Sequence, residues 1–156
     1  MKAYHTYPAV DVAHVLLKCA SDRGLPLTNL HLQKLAYICH GVSLSKFERP
    51  LFIEDVRAWQ YGPVVPSIYI KFKEFASSPV TIEPEQVELD LESLKIVDSV
   101  IEKFGDLSAW QLVKLTHREG SPWFQVWTKE RFSIISDETI KSHYDQIYEQ
   151  GFAASL

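Results

Sequence analysis

The sequence predicts a mainly α fold: a compact single helical domain with a short extended or hairpin segment near residues 51–61. Three observations lead there. Apolar residues recur at helical spacing along most of the chain, as at Val10, Ala13, Leu16, Leu17 and Ala20. Glycine and proline punctuate the spaces between these stretches, at Gly24-Leu25-Pro26, Ser77-Ser78-Pro79 and Gly120-Ser121-Pro122. Only residues 51–61 have strand-like composition, with Phe52, Ile53, Val56, Trp59 and Tyr61. The 156 residues, 46% hydrophobic and 23% charged, suit one soluble domain with a real core. Without a repeat, low-complexity tract or linker, residues 1–156 form a single unit.

The first helix is predicted from Pro8 to Arg23, with Pro8 at its first position and Gly24 and Pro26 as its stop. The second follows a Thr28 or Asn29 cap. Leu32, Leu35, Ala36, Cys39 and Val42 form its apolar stripe, and it fades near Ser45. A proline-started helix then covers about 63–76, and the acidic run 83–92 reads as a solvated connection. Asp90 caps a fourth helix whose Leu94, Val97, Val100, Ile101 and Phe104 mark one buried face. Ser108 and Gln111 form a capping box, flanked by Leu107 and Leu112 as a hydrophobic staple, for a helix reaching about Arg118. Ser121-Pro122 opens a short helical turn carrying Trp123 and Trp127. Ser136 caps a last helix with Ile140, Tyr144, Ile147 and Tyr148.

The segment from Ala58 to Tyr69 is the most informative. Arg57, Trp59 and Tyr61 alternate, so in an extended backbone all three leave the same face. Gly62 permits a turn there, and Pro63 and Pro66 fit the first turn of a helix. The result is a rigid corner presenting aromatics, either as core scaffolding or as a recognition surface.

Composition excludes several function classes. A net charge of −4 with no dense Lys/Arg cluster argues against a nucleic-acid partner; Lys71 and Lys73 are too few. No apolar run approaches the roughly 18–20 residues that span a bilayer, and Met1–His5 lacks the apolar region of a signal peptide. Cys19 and Cys39 on apolar helical faces read as free thiols in a reducing cytoplasm. His31 and His40 point to opposite sides of one helix, no H-E-x-x-H or zinc-finger cysteine spacing occurs, and no metal or other cofactor is expected. A nucleophile elbow, a phosphate loop and a catalytic dyad are all missing, so no catalytic residue is assigned and an enzyme is not expected.

The aromatic inventory points to protein contact. Tryptophan, tyrosine and arginine dominate interface hot spots. Trp110 and Trp127 read as core, whereas Trp59 and Tyr61 beside Arg57 suit core or surface equally. Lys34, Tyr37 and His40 lie off the apolar stripe of the second helix and are expected to border the same surface.

Three blocks together resemble one family: Leu32-Gln33-Lys34-Leu35-Ala36-Tyr37 with Gly41, then Ala58-Trp59-Gln60-Tyr61-Gly62-Pro63-Val64, and His117 followed by Ser121-Pro122-Trp123. Their order and spacing resemble the Panacea domain, also called the SocA-like antitoxin domain and often described as a phage-associated protein, over roughly residues 8–150. The resemblance implies an antitoxin of a bacterial or prophage toxin–antitoxin system that neutralises a cognate protein toxin by direct binding. It also implies a toxin gene next door and a cytoplasmic protease as a second partner. The expected anchors are Arg57, Trp59, Tyr61 and Trp123, with Lys34, Tyr37 and His117 as neighbours. Alternatives are a proteolytic adaptor or general interaction module, and a small hydrolase using His117 with a distant carboxylate.

Overall fold

The computed structural model describes residues 6–149; Met1–His5 and the residues after 149 lie outside the described range. Among the described residues the order is α1 (Ala9–Asp22), α2 (Asn29–Phe47), β1 (Val56–Trp59), β2 (Gly62–Val64), α3 (Pro66–Phe72), α4 (Leu91–Phe104), α5 (Ala109–Thr116), α6 (Pro122–Trp127), β3 (Ile134–Ile135) and α7 (Asp137–Glu149). The mainly α expectation holds, with a three-stranded antiparallel sheet of order β2-β1-β3 at one side.

α2 is the axis of the fold. It packs against α1, α3, α4, α5, α7 and β2, and every residue from His31 to Leu44 is buried. A helix enclosed on all sides has no solvent face, which corrects one expectation. Lys34, Tyr37 and His40 do not border a surface; they are 0%, 2% and 1% exposed. Gly41 sits where α7 crosses, and a Cβ there would overlap the Tyr144 ring. The glycine of the first block is therefore a close-approach residue between two helices.

Capping follows the sequence closely. Thr28 accepts from His31 N–H at 3.2 Å, and Ser108 Oγ accepts from Gln111 N–H at 3.1 Å while Gln111 Oε1 accepts from Ser108 N–H at 2.8 Å. Ser121 and Ser136 each accept from an N–H three residues on, at 3.1 Å. Asp90 caps α4 through Ser93 N–H, and its carboxylate also receives Tyr7 Oη–H at 2.7 Å and Arg49 Nη2 at 2.9 Å. Burial opposes ionisation of Asp90, but the Ser93 and Tyr7 bonds and the Arg49 charge hold its carboxyl well below the usual range.

The extended region differs from expectation. The hairpin spans Val56–Val64, and the proline-started helix begins at Pro66 rather than near residue 63. Pro63 is in β2 opposite Ala58, at a non-hydrogen-bonded pair where no N–H is required. Gly62 carries the positive φ of the turn, 108°. On α4 the buried face holds Ile96 in place of Leu94, which is 40% exposed.

Candidate functional site

The blocks that stand far apart in sequence meet at the β1–β2 corner. Gln33 Oε1 accepts from the Val65 N–H at 2.9 Å, and Lys34 Nζ donates to the Pro63 carbonyl at 2.8 Å. Gln33 in turn donates to Asn29 Oδ1 at 3.0 Å, and Asn29 donates to the Tyr69 carbonyl at 3.1 Å. From the other side, Trp123 Nε1–H donates to the Trp59 carbonyl at 2.7 Å. Buried polar groups that are mutually satisfied fix a backbone in one geometry.

The clamp also seals one edge of the sheet. Pro63 has no N–H, its carbonyl is taken by Lys34, and the next N–H but one, that of Val65, is taken by Gln33. β2 therefore presents no free backbone group at these positions to another strand. Burial pushes the Lys34 ammonium down to about 7, since its partner is a carbonyl and not a charge.

On this frame the aromatics divide into support and surface. Trp123 is buried, with the His117 ring stacked on it at 3.6 Å and Trp127 at 5.5 Å. Trp59 is half-buried and meets Tyr69 edge-on at 5.4 Å. Tyr61, at the hairpin tip, is 50% exposed and lies 5.8 Å from the ring of Trp110, which is itself 54% exposed rather than core. Arg57 is half-buried, its Nη1 donating to the Phe132 carbonyl at 3.3 Å.

A groove of about 350 Å³ runs between these groups, lined by Leu30, Trp59, Tyr61, Val64, Tyr69 and Phe132 among others. Phe132 and Ala76 both line it with positive φ, 67° and 50°. Such backbone strain in residues other than glycine collects at functional surfaces. Of the expected anchors, Arg57, Trp59 and Tyr61 reach this side of the molecule. Trp123, Lys34 and His117 hold it from below, and Tyr37 lies in the core against Tyr144 at 6.1 Å.

Sequence reasoning missed Tyr69, Trp110 and Phe132 as exposed contributors, and Asn29 and Gln33 as the floor of the site. Gln33 stood within the first block, which was the available signal. Among the described residues no group of three or more His, Cys, Asp or Glu side chains is placed to hold a metal ion. No helix among them is long and apolar enough to cross a membrane.

Comparison with known proteins agrees with the block architecture. The family described as "Antitoxin SocA-like, Panacea domain" matches residues 32–124, more than half of the chain, and those bounds contain all three blocks. Antitoxin SocA of Caulobacter vibrioides (strain NA1000 / CB15N) is 36% identical over 126 residues, 72% of this chain. The chain spans 66% of that relative's length, just under two thirds. No solved structure matches. The chain belongs to the SocA-like antitoxin, Panacea domain family.

Proposed function

We propose that this chain is an antitoxin without enzymatic activity, which neutralises a cognate protein toxin by direct binding through the aromatic corner. One observation carries the reading. Tyr61, Tyr69 and Phe132 stand exposed around a single groove, with exposed Trp110 against the Tyr61 ring beside it, and buried hydrogen bonds from Gln33, Lys34 and Trp123 hold the corner's backbone. Rigid aromatic anchors bind with little loss of side-chain entropy, and a few of them supply most of an interface's energy. A standard interface buries roughly 1,600 Å², enough to cover the groove and its rim. The mechanism is occlusion of the toxin's active surface, with the partner encoded by the adjacent reading frame. The family name and the name of the Caulobacter relative supply the word antitoxin.

The test is co-expression with the product of that adjacent frame. Rescue of growth together with co-purification of a stable complex supports occlusion. Rescue with no complex at stoichiometric expression rejects it, and favours delivery of the toxin to a cytoplasmic protease. A neighbour that is harmless alone removes the toxin from the account.

A further inference from the structure

The two edges of the sheet are not alike. β2 is sealed by α2, whereas the β3 edge is open. Ala58 N–H donates to the Ser133 carbonyl at 2.9 Å and the Ala58 carbonyl accepts from Phe132 N–H at 2.9 Å. Two residues of the 132–133 segment thus oppose one residue of β1, which is a bulge. Ladder bonds alternate in direction along an antiparallel strand. The next residue, Ile134, is paired with Arg57 and turns its own N–H and C=O away from β1. Its side chain is 44% exposed, beside Phe132 at 57%.

This edge is flanked by positive charge. The only polar contact of the Arg57 guanidinium among the described residues is the Phe132 carbonyl, and Arg131 lies over the Trp127 ring at 5.0 Å. Neither pairs with a carboxylate among the described residues, Glu130 included. The bulge that aims this edge outward places Phe132 at φ 67°, a conformation that normally selects glycine.

We infer that the toxin adds an extended segment to the sheet at Ile134, with apolar side chains against Ile134 and Phe132 and a carboxylate against Arg57 or Arg131. The inference rests on the proposed toxin-binding role and specifies its mode. The unpaired N–H and C=O of Ile134 give the backbone pairing, the exposed apolar pair gives side-chain contact, and the guanidiniums without a carboxylate select acidic neighbours.

The probe is the purified product of the adjacent reading frame, titrated against the full chain, with amide hydrogen exchange followed in the complex. The Ile134 amide, open in the free chain, is expected to gain at least about tenfold protection on binding, the scale of a formed hydrogen bond. Ile134→Pro, which deletes the outward N–H without touching the ladder, raises Kd about tenfold. Arg131→Glu raises Kd more at low salt than at high salt. Because the exchange measurement uses the unaltered chain, it stands if the proline variant does not fold. An Ile134 amide equally exposed in free and bound states, while Tyr61→Ala still weakens binding, overturns strand addition and leaves the aromatic corner as the interface. No binding by the unaltered chain sinks both readings. A homodimer that Ile134→Pro dissolves assigns the edge to self-association instead.

Discussion

Trp123 donates its indole N–H to the Trp59 carbonyl at 2.7 Å, joining residues 64 positions apart in the chain. The bond places the last block directly behind the aromatic corner, so the corner's geometry depends on a residue that does not reach its surface. Trp123→Phe keeps a ring against His117 and Trp127 but removes one of the carbonyl's two donors, leaving the ladder bond from Gly62. Stability should fall by about 0.5–1.5 kcal/mol, read from the urea midpoint, the net contribution of one hydrogen bond. An unchanged midpoint would mean that the bond contributes nothing net.

Gly41→Ala should destabilise the chain by about 1–3 kcal/mol, since one methyl has no room beneath the Tyr144 ring. The double variant Gly41→Ala with Tyr144→Leu should lose less than the sum of the two single changes. Additive losses would show that the close approach of α2 and α7 is not the source of the effect.

Stability should rise with pH between about 7 and 9. The Lys34 ammonium has its pKa lowered from 10.5 to about 7 by burial, so across that window the unfolded chain binds more protons than the folded one. Raising pH removes that difference and favours the folded state; below 7 the penalty is present in full. Above about 9 the rise is offset, because burial raises the Cys39 thiol above its ordinary value, and above 10 it reverses as the raised Tyr37 and Tyr144 hydroxyls add to it. Denaturation midpoints across this range should flatten in Lys34→Met. A Lys34→Met variant that keeps the full rise would locate the linkage elsewhere.

The acid side carries a limb of the same sign. His14 and His31 have their pKa values lowered below 6.5 by burial, and each accepts a backbone N–H through Nδ1, from Glu85 at 3.1 Å and Thr28 at 3.1 Å. Protonation removes that acceptor, so stability should decline as pH falls below 6.5. His31→Gln should shallow the decline; an identical slope would remove His31 from it.

Tyr61→Ala and Trp110→Ala should each change stability by no more than about 0.5 kcal/mol, the range for exposed positions. Under the proposed function at least one weakens toxin binding by about 2 kcal/mol, the scale of a hot spot. Calorimetric titration checks both. Full affinity in the double variant would move the interface away from the corner.

Local grammar made much of the fold legible. Thr28, Asp90, Ser108, Ser121 and Ser136 cap helices where their spacing indicates, because capping depends on residues three apart. Pro63 misled because a missing N–H is equally at home in the first turn of a helix and in a non-bonded strand pair. Only the partner strand decides between them. The three-residue rhythm of α2 suggested one buried stripe, but helices on every side enclose it, and enclosure is a tertiary fact. For the same reason Lys34 read as solvated although its ammonium is buried against a carbonyl. Trp110 read as core because size alone carries no direction. Of the site, Arg57, Trp59 and Tyr61 were visible through alternation. Tyr69, Trp110 and Phe132 come from three separate elements, and no local pattern links them.

The sheet has β1 at its centre, and its outer partner β3 lies beyond α6 in the chain. Order of synthesis therefore matters. At roughly 5–20 residues per second, several seconds separate emergence of the hairpin from emergence of Trp123 and Ile135. During that interval the nascent chain can assemble α1 and α2, but the Trp59 carbonyl lacks its indole donor and β1 has no third strand. A ribosome-bound fragment ending before α6 thus carries Trp59, Tyr61, Tyr69 and Trp110 without Phe132 and without the indole that fixes the corner. The finished surface comes into being only once α6 and β3 have been made.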